Sequence, residues 1–352
     1  MEYNDLLSRL CKIKGKLQDV ESQIIYDARI NYLFTRNEDE YYKVLETVRK
    51  DSYCLELEDF LKDNKENQGM IIYGAETEGV RTKRLLDNCK RPAQLFCDDS
   101  EKIIGSRIEG LEVISVRQLV TDYNKYVVIL AGRIVMAERY SLLLRSGFPR
   151  KQILFPMHMH LVASNGTQYF DVLSSVEDEI FIDAGAYNGD TIAAFQKWTK
   201  GKYKRIYAFE PNVEMAQATM NYLRQNQVEN VVFTPKATWG KEEVLSFFED
   251  ASASRVGKGG ETCVQAVDID SVVGDEKVTF IKMDVEGSEL KALQGAEKII
   301  RRDRPKLAIC VYHKPEDIYE IPLYIKKLVP EYKLFLRHYS NYECETVLYA
   351  IK

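Results

Sequence analysis

Short apolar strands alternate with helix-forming runs along most of the chain, and this rhythm limits the folds open to it. Alternation of this kind produces parallel sheets joined by right-handed crossovers. The rhythm occurs twice, first from residue 69 to about 156 and again from about 170 to the end. The sequence therefore predicts an α/β protein with a helical N-terminal segment (1–66), a smaller Rossmann-like domain (67–156) and a larger domain (157–352).

The larger domain shows the clearer pattern. Strands are predicted at 179–183, 205–209, 231–234, 278–283, 306–311, 332–338 and 346–351, and helices at 189–199, 212–226, 287–301 and 316–328. Only seven residues separate the last two strands, so they are expected to form an antiparallel pair at one sheet edge. The Ser/Gly/Lys-rich stretch within 240–262 is expected to be a flexible loop, with a substrate lid as the alternative.

The N-terminal segment has a helical pattern. Leu10, Ile13, Leu17, Val20 and Ile24 recur at spacings of three and four, as along one helix face. Two interpretations stay open at this point: packing of that face on its own chain, and a homodimer contact through the N-terminal helix.

Composition excludes several classes. The 352 residues carry a net charge of −5, so bulk electrostatics do not favour nucleic acid, although a local basic groove stays open. No apolar run is long enough for a membrane helix, and Met1 to Cys11 lack a signal-peptide core. The seven cysteines are scattered, which indicates free thiols and a cytoplasmic protein.

A glycine turn opens the larger domain and indicates a ligand site. The candidate cofactor-binding residues here are Asp183, Gly185, Ala186, Tyr187, Gly189 and Asp190. The glycines permit a tight turn, and the following helix N-terminus offers free amides. The spacing is G-x-x-x-G, and the two acids would repel a pyrophosphate. They suit a ligand with an ammonium or sulfonium group, which predicts S-adenosylmethionine (SAM).

The second predicted strand ends in Glu210, Pro211 and Asn212, about twenty residues after the turn. An acid at this position commonly binds ribose hydroxyls, so all three are assigned to the cofactor. The structural alternative is a simple glycine turn followed by a helix-capping Glu-Pro.

A carboxylate cluster follows a central strand. Asp284, Glu286 and Glu289 lie where ligands bind in open α/β sheets. Crowded carboxylates raise pKa values and so can supply a base, which makes Asp284 and Glu286 catalytic candidates. The alternative is a solvated helix start. No metal is assigned, although a divalent ion at Asp284 and Glu286 stays open.

At this point the chain resembles the FkbM family of methyltransferases. The resemblance rests on the turn at 183–189, Phe209-Glu210-Pro211, Ile269-Asp270, the run from Lys282 to Glu289, and Leu293-Gln-Gly295. It implies a class I methyltransferase fold, a seven-stranded sheet whose last strand is antiparallel. It also implies that SAM is the cofactor and that a sugar-like or other hydroxyl-bearing compound is the acceptor.

Many FkbM-like members carry an acid after the next strand, where this chain has Tyr312-His313. His313 therefore joins Asp284 as a candidate base, and His338 is a second candidate for the acceptor site. His158 and His160 share one predicted strand face, where packing is favoured over a two-ligand metal site.

The smaller domain resembles the N-terminal domains of PglD-type sugar acetyltransferases, through Tyr73 to Gly79, Phe96 to Asp99 and Gly110 to Ile114. That resemblance implies a nucleotide-sugar ligand. Glu76 and Glu78 would repel phosphate, so a structural, oligomerising or glycan-positioning role is favoured.

The residues predict a SAM-dependent methyltransferase, and the resemblance implies transfer to a hydroxyl of a carbohydrate or glycoconjugate, with Asp284 and Glu286 bordering the cofactor's methyl group. The alternatives are an NAD-dependent oxidoreductase, disfavoured because neither turn has G-x-G-x-x-G, and a non-catalytic nucleotide-sugar- or glycan-binding protein with a methyltransferase-like fold.

Overall fold

The computed structural model describes residues 3–132, 135–154, 168–248, 255–256, 260, 262–340 and 343–352. Contacts divide the chain into two compact units. The first comprises 1–36, 166–338 and 343–352, and the second comprises 37–165 and 339–342. The first two helices thus belong with the larger sheet and the third with the smaller one, a division that differs from the sequence-based segments 1–66, 67–156 and 157–352.

The strands are β1 Met70–Tyr73, β2 Leu95–Asp98, β3 Arg107–Ile108, β4 Leu111–Ser115, β5 Val127–Leu130, β6 Ile153–Leu154, β7 Glu179–Ala184, β8 Tyr203–Phe209, β9 Val231–Thr234, β10 Ala237–Thr238, β11 Glu243–Phe248, β12 Arg255–Val256, β13 Thr262–Val267, β14 Phe280–Met283, β15 Lys306–Cys310, β16 Lys333–His338 and β17 Thr346–Ile351. The helices are α1 Tyr3–Lys14, α2 Val20–Thr35, α3 Glu38–Lys62, α4 Thr77–Asn88, α5 Val116–Asp122, α6 Met136–Arg145, α7 Asp190–Trp198, α8 Val213–Gln225, α9 Ile269–Val273, α10 Glu289–Gln294, α11 Glu297–Asp303 and α12 Asp317–Leu328.

The first unit is built on a seven-stranded sheet with the order β16-β17-β15-β14-β7-β8-β9. Neighbouring strands from β15 to β9 run parallel, whereas β17 is antiparallel to both β15 and β16. This is the class I methyltransferase arrangement that the resemblance implied, and it confirms the predicted fold class.

The central strands of this sheet are buried from end to end. Every residue of β7 and β14 is buried, as expected for parallel strands covered on both faces. Phe181 of β7 stacks on Phe195 of α7 with ring centroids 4.3 Å apart. This packing fixes α7 against the sheet and so fixes the turn between them.

A smaller sheet in the order β10-β13-β11-β12 lies within the same unit. The flexible loop expected within 240–262 concerns the Ser/Gly/Lys-rich stretch 251–260, whereas β11, which precedes that stretch and pairs with β13, was not predicted. Five of the six β11 residues are only partly buried or exposed, so the apolar signal was weak. Most of the run from 251 to 260 lies outside the described residues.

Helix α2 packs on the edge strand β16, and helix α1 packs on α12. Helix α1 ends at Lys14, and Asp19 caps α2 by accepting a hydrogen bond from Ser22 N at 2.9 Å. The expected helix face is therefore interrupted. Leu10, Ile13 and Leu17 are buried within the chain, whereas Val20 is 70% exposed. A homodimer contact stays a prediction.

The second unit contains a six-stranded sheet with the order β3-β4-β2-β1-β5-β6. All neighbours are parallel except β3 and β4. Strands β1 and β5 are fully buried. The strand order reverses beside β1, which is where doubly wound sheets place their crevice.

Cysteine chemistry departs from expectation at one position. Cys11, Cys97, Cys263, Cys310 and Cys344 form no disulfide, but Cys89 is disulfide-bonded, so the expectation of seven reduced thiols was wrong. Among the described helices, none has the length and apolar character needed to span a membrane. A cytoplasmic location stays a prediction.

Candidate active site

The turn after β7 requires glycine at position 185. Gly185 has a φ of +85°, and a Cβ there would overlap the carbonyl oxygen of Asp284. Its amide and that of Ala186 both donate to the carbonyl oxygen of Phe209, at 3.0 and 2.9 Å. The turn is therefore pressed between the ends of β8 and β14, and any side chain would force it away.

Glu210 holds the same turn from the end of β8. One carboxylate oxygen accepts from Tyr187 N and the other from Asn212 N, each at 2.9 Å. Burial raises the pKa of Glu210 to about 7, although these two hydrogen bonds lower it. The sequence assigned Glu210 to ribose binding, with helix capping as the alternative, and did not predict its hydrogen bond to the turn at Tyr187.

Asp183 lies beneath the turn and faces a buried lysine. Lys282 Nζ is 3.1 Å from Asp183 Oδ1 and donates to Gly185 O at 2.6 Å. Burial raises the pKa of Asp183 to about 6 in spite of Lys282. Burial lowers the pKa of Lys282, but Asp183 and Asp284 raise it more. Lys282 thus anchors the turn, a role that its strand position did not reveal.

The other cofactor candidates lie around the start of α7 and α8. Gly189 is the residue before α7, with a φ of +91°, and a Cβ there would come within 2.9 Å of Tyr222. Tyr187 has a φ of 47° and is 36% exposed. Asp190 begins α7, and Asn212 caps α8 by accepting from Met215 N at 3.0 Å.

A pocket opens at the carboxyl edge of the sheet, where ligands of α/β proteins bind. Its lining residues are Gly185, Phe209, Glu210, Pro211, Lys236, Ala237, Thr238, Phe247, Asp284, Val285, Glu286 and Ser288. The structure therefore brings the glycine turn, the strand-end acid and the carboxylate cluster to one place. Lys236 and Phe247 were missed because the region of the small sheet carried no clear pattern.

Asp284 forms the inner wall of the pocket. Its Oδ2 accepts a hydrogen bond from Tyr169 at 2.8 Å, and Tyr312 OH is 3.4 Å from Oδ1. Burial raises the pKa of Asp284, but Lys282, His313 and the Tyr169 hydroxyl bring it below its ordinary value. Tyr169 precedes the first strand of the domain and belongs to no motif, so no pattern in the sequence pointed to it.

His313 completes the carboxylate cluster. Its Nε2 is 3.2 Å from Glu286 Oε2 and 3.5 Å from Asp284 Oδ1, while Nδ1 is 2.8 Å from Glu289 Oε1. Burial lowers the pKa of His313, but the surrounding carboxylates raise it well above its ordinary value. A ring that already holds both protons cannot accept another.

Glu345 is a further carboxylate of the cluster around Asp284, and the sequence analysis did not indicate it. Its Oε1 lies 3.3 Å from the Tyr312 hydroxyl, which links it to Asp284. Burial and the charge of Asp284 raise the pKa of Glu345 to about 7. It follows the last turn of the sheet, where no acidic pattern is present.

His338 lies at a different part of the sheet. It ends the edge strand β16, is buried, and has Nδ1 2.8 Å from Thr346 Oγ1. Strands β17 and β15 separate β16 from β14, which leads into Asp284. His158 and His160 lie outside the described residues.

Two of the motif segments behind the resemblance are structural. Asp270 accepts hydrogen bonds from Lys298 N and Ile299 N at 3.0 and 2.9 Å, so it caps the start of α11. Gly295 accepts from Asp270 N at 2.8 Å, and a Cβ on it would overlap the Trp239 carbonyl. These residues position α10 and α11 behind the pocket.

Comparison with known proteins finds one family similar to part of the larger unit. Residues 183–338 match the family described as Methyltransferase FkbM domain. The matched stretch runs from the buried acid under the turn to the end of β16 and covers less than half of the chain. A search of curated proteins gives no match.

Several solved structures are similar. Methyltransferase FkbM from Methylobacillus flagellatus KT has 19% identity over 90% of this chain and 100% of that chain, with a TM-score of 0.49. A SAM-dependent methyltransferase from Aquifex aeolicus has 18% identity over 55% of this chain and 92% of that chain, with a TM-score of 0.36. Aeropyrum pernix fibrillarin with bound SAM has 14% identity over 49% of this chain and 66% of that chain, with a TM-score of 0.32.

Proposed function

We propose that this protein transfers a methyl group from SAM to a hydroxyl of a carbohydrate or glycoconjugate. The observation that carries the proposal is the shared pocket, in which the turn at Gly185 and the acid Glu210 face the carboxylates Asp284 and Glu286. The family match supports a methyltransferase, and the choice of a sugar hydroxyl follows the sequence resemblance.

The cofactor's positive charge suits this pocket. SAM supplies an electrophilic methyl group on a sulfonium. Glu210, at the end of β8, is placed to accept hydrogen bonds from ribose hydroxyls through its remaining lone pairs. Asp284 is held ionised by its neighbours and offers a fixed negative charge to the cofactor's cationic end.

Glu286 is our assignment for the proton acceptor. Asp284 has a lowered pKa and already accepts from Tyr169, so it is a weak base. Glu286 lines the pocket and its side chain is 30% exposed. In the transfer, the acceptor hydroxyl gives its proton to Glu286, an O–CH₃ bond forms, and the S–CH₃ bond breaks to leave S-adenosylhomocysteine (SAH).

The direct test is incubation of the full chain with methyl-labelled SAM and a panel of sugars and glycosides. We expect label in O-methyl ethers, identified by mass spectrometry after hydrolysis. Label on nitrogen or carbon alone rejects the hydroxyl acceptor. Absence of SAH binding in isothermal titration rejects the cofactor.

A matched pair of variants separates catalysis from folding. Glu286→Gln should lower kcat at least 100-fold, in the range of general-base loss, while SAH affinity changes little. Glu331→Gln removes an exposed carboxylate outside the pocket and should leave kcat unchanged. Equal kcat values for the two variants would remove Glu286 from the mechanism.

The oxidoreductase alternative can be tested in the same preparation. Neither glycine turn has the dinucleotide spacing, so NAD should not raise the unfolding temperature. Stabilisation by NAD without stabilisation by SAH would favour that alternative. Retained cellular function in an Asp284→Asn, Glu286→Gln double variant would favour the non-catalytic alternative.

A further inference from the structure

We propose that Asp284, Glu286 and His313 form a binding site for one divalent cation of the Mn²⁺ type. One ligand atom from each residue lies within 4.8 Å of the other two. Asp284 and Glu286 also line the pocket at the carboxyl edge of the sheet. The inference goes beyond the proposed function, because cation binding can be measured without cofactor or acceptor.

The spacing of the ligand atoms suits a single ion. His313 Nε2 is 3.2 Å from Glu286 Oε2 and 3.5 Å from Asp284 Oδ1. Two ligands, each about 2.1 Å from one ion, lie roughly 3.0 to 3.5 Å apart at octahedral or tetrahedral angles. The three side chains therefore need little movement to coordinate an ion.

Glu289 orients the histidine for this role. Its Oε1 is 2.8 Å from His313 Nδ1, and its side chain is fully buried. Histidines that bind metals generally direct their second ring nitrogen to such a carboxylate, which fixes the tautomer. With the Nδ1 proton toward Glu289, Nε2 is left to serve as the ligand.

The same geometry calls for a cation at the centre. With the Nδ1 proton toward Glu289, Nε2 faces two carboxylates, and a divalent cation bound there would take the place of the proton that Nε2 carries in its absence. The His313 side chain is only 9% exposed. Within the described part of the chain, neither ring nitrogen completes a hydrogen bond of regular geometry. A buried ring aimed at two carboxylates in this way is typical of a ligand set.

The donor types favour Mn²⁺ among common divalent ions. Two carboxylates suit Mg²⁺, Ca²⁺ and Mn²⁺, whereas an imidazole favours transition metals. Mn²⁺ accepts both donor types. The three protein ligands leave positions open toward the pocket, which acceptor oxygens can occupy.

Direct binding of Mn²⁺ tests the site. Full-length protein, freed of metal with a chelator, is titrated with MnCl₂ while electron paramagnetic resonance reports the free ion. We expect one ion per chain. Glu286→Gln and His313→Gln each remove a ligand and should weaken binding at least tenfold.

Three further variants control for charge, folding and orientation. Asp275→Asn removes a fully exposed carboxylate, and His338→Gln removes a buried histidine on β16. Both should bind Mn²⁺ like the wild type. Glu289→Gln leaves all three ligands in place and should weaken binding about 10- to 100-fold, as loss of an orienting partner does. Circular dichroism confirms that each variant is folded.

Two results would overturn the inference: no Mn²⁺ binding by the wild type, or wild-type affinity in both ligand variants. If SAH binds and Mn²⁺ does not, the cation site fails and the proposed methyl transfer stands. If Mn²⁺ binds and SAH does not, the cation site stands and the proposed methyl transfer fails.

Discussion

The two parallel sheets of this protein use the same device where their first strand ends. In the first unit, Gly185 N donates to Phe209 O at 3.0 Å; in the second, Gly74 N donates to Cys97 O at 2.8 Å. The acid after each second strand then holds the turn. Asp98 accepts from Ala75 N and Ser100 N at 2.8 and 2.9 Å, as Glu210 does from Tyr187 N and Asn212 N.

The sheets differ in what lies beyond the turn. In the first unit it is a pocket lined by carboxylates. In the second, Arg139 reaches over the turn, donating to Ala131 O at 2.6 Å, with its guanidinium 5.1 Å from the Tyr73 ring centroid. The glycine turn and its acid are thus a folding device common to both sheets. Function depends on the groups that the remaining loops add.

The two sheets should differ most in how much stability is lost when a buried positive charge is removed. Lys282 and Asp183 are 2% and 0% exposed, so Lys282→Met leaves a buried carboxylate unpaired and should cost about 3–5 kcal/mol. Arg139 is 14% exposed, and Arg139→Met should cost about 1–2 kcal/mol. Calorimetric unfolding measures both. Equal losses would contradict the contrast, and adding Asp183→Asn should restore part of the Lys282→Met loss.

The glycine turns should differ in their effect on ligand binding. Gly185→Ala drives a Cβ into the Asp284 carbonyl and should weaken SAH at least 100-fold. Gly201→Ala is the control, since Gly201 has a φ of +74° with open space around it. Gly74→Ala strains the other sheet only. Titration calorimetry should show near-wild-type SAH affinity for Gly201→Ala and Gly74→Ala. A loss of SAH affinity in Gly74→Ala would contradict this, because it would make the cofactor site dependent on the second unit.

The two strand-end acids should resemble each other in stability and differ in function. Glu210→Gln and Asp98→Asn each leave one backbone N–H without its acceptor, at about 1–3 kcal/mol. Only Glu210→Gln should also weaken the binding of SAH. Thermal unfolding combined with titration calorimetry measures both effects. If Asp98→Asn weakened SAH equally, the two carboxylates would not have separate roles.

The smallest expected effect is the pH dependence of SAH binding. The pKa of Glu210 is raised to about 7 from its ordinary 4.5. Its contribution to stability is therefore present below pH 4.5 and lost as the pH rises through about 7. The ionised form accepts ribose hydroxyls, so SAH affinity should rise about tenfold from pH 6 to pH 8. Glu210→Gln should flatten this profile, and an unchanged slope would exclude Glu210 as its cause.

The strand positions and the polar residues at the sheet edge followed from local patterns, whereas the sheet arrangement followed from the family resemblance. Unbroken apolar runs such as Val127–Leu130 indicate buried parallel strands, and glycines and acids after such strands indicate a ligand edge. What the sequence could not reveal depends on distant contacts. Tyr169 meets Asp284 across 115 positions, and the Glu289–His313 pairing depends on the start of α10 meeting the loop after β15.

The covering of β16 by the N-terminal segment sets a timing constraint on biogenesis. Ser22 Oγ accepts from Leu336 N at 2.8 Å across 314 positions, and Gln18 N donates to Leu334 O at 3.0 Å. At about 5–20 residues per second, a ribosome needs roughly 15 to 60 s between these partners. Until α12 and β16 emerge, the apolar residues of α1 and α2 lack the elements on which they pack. Nascent chains paused before residue 334 should therefore be clients for chaperones.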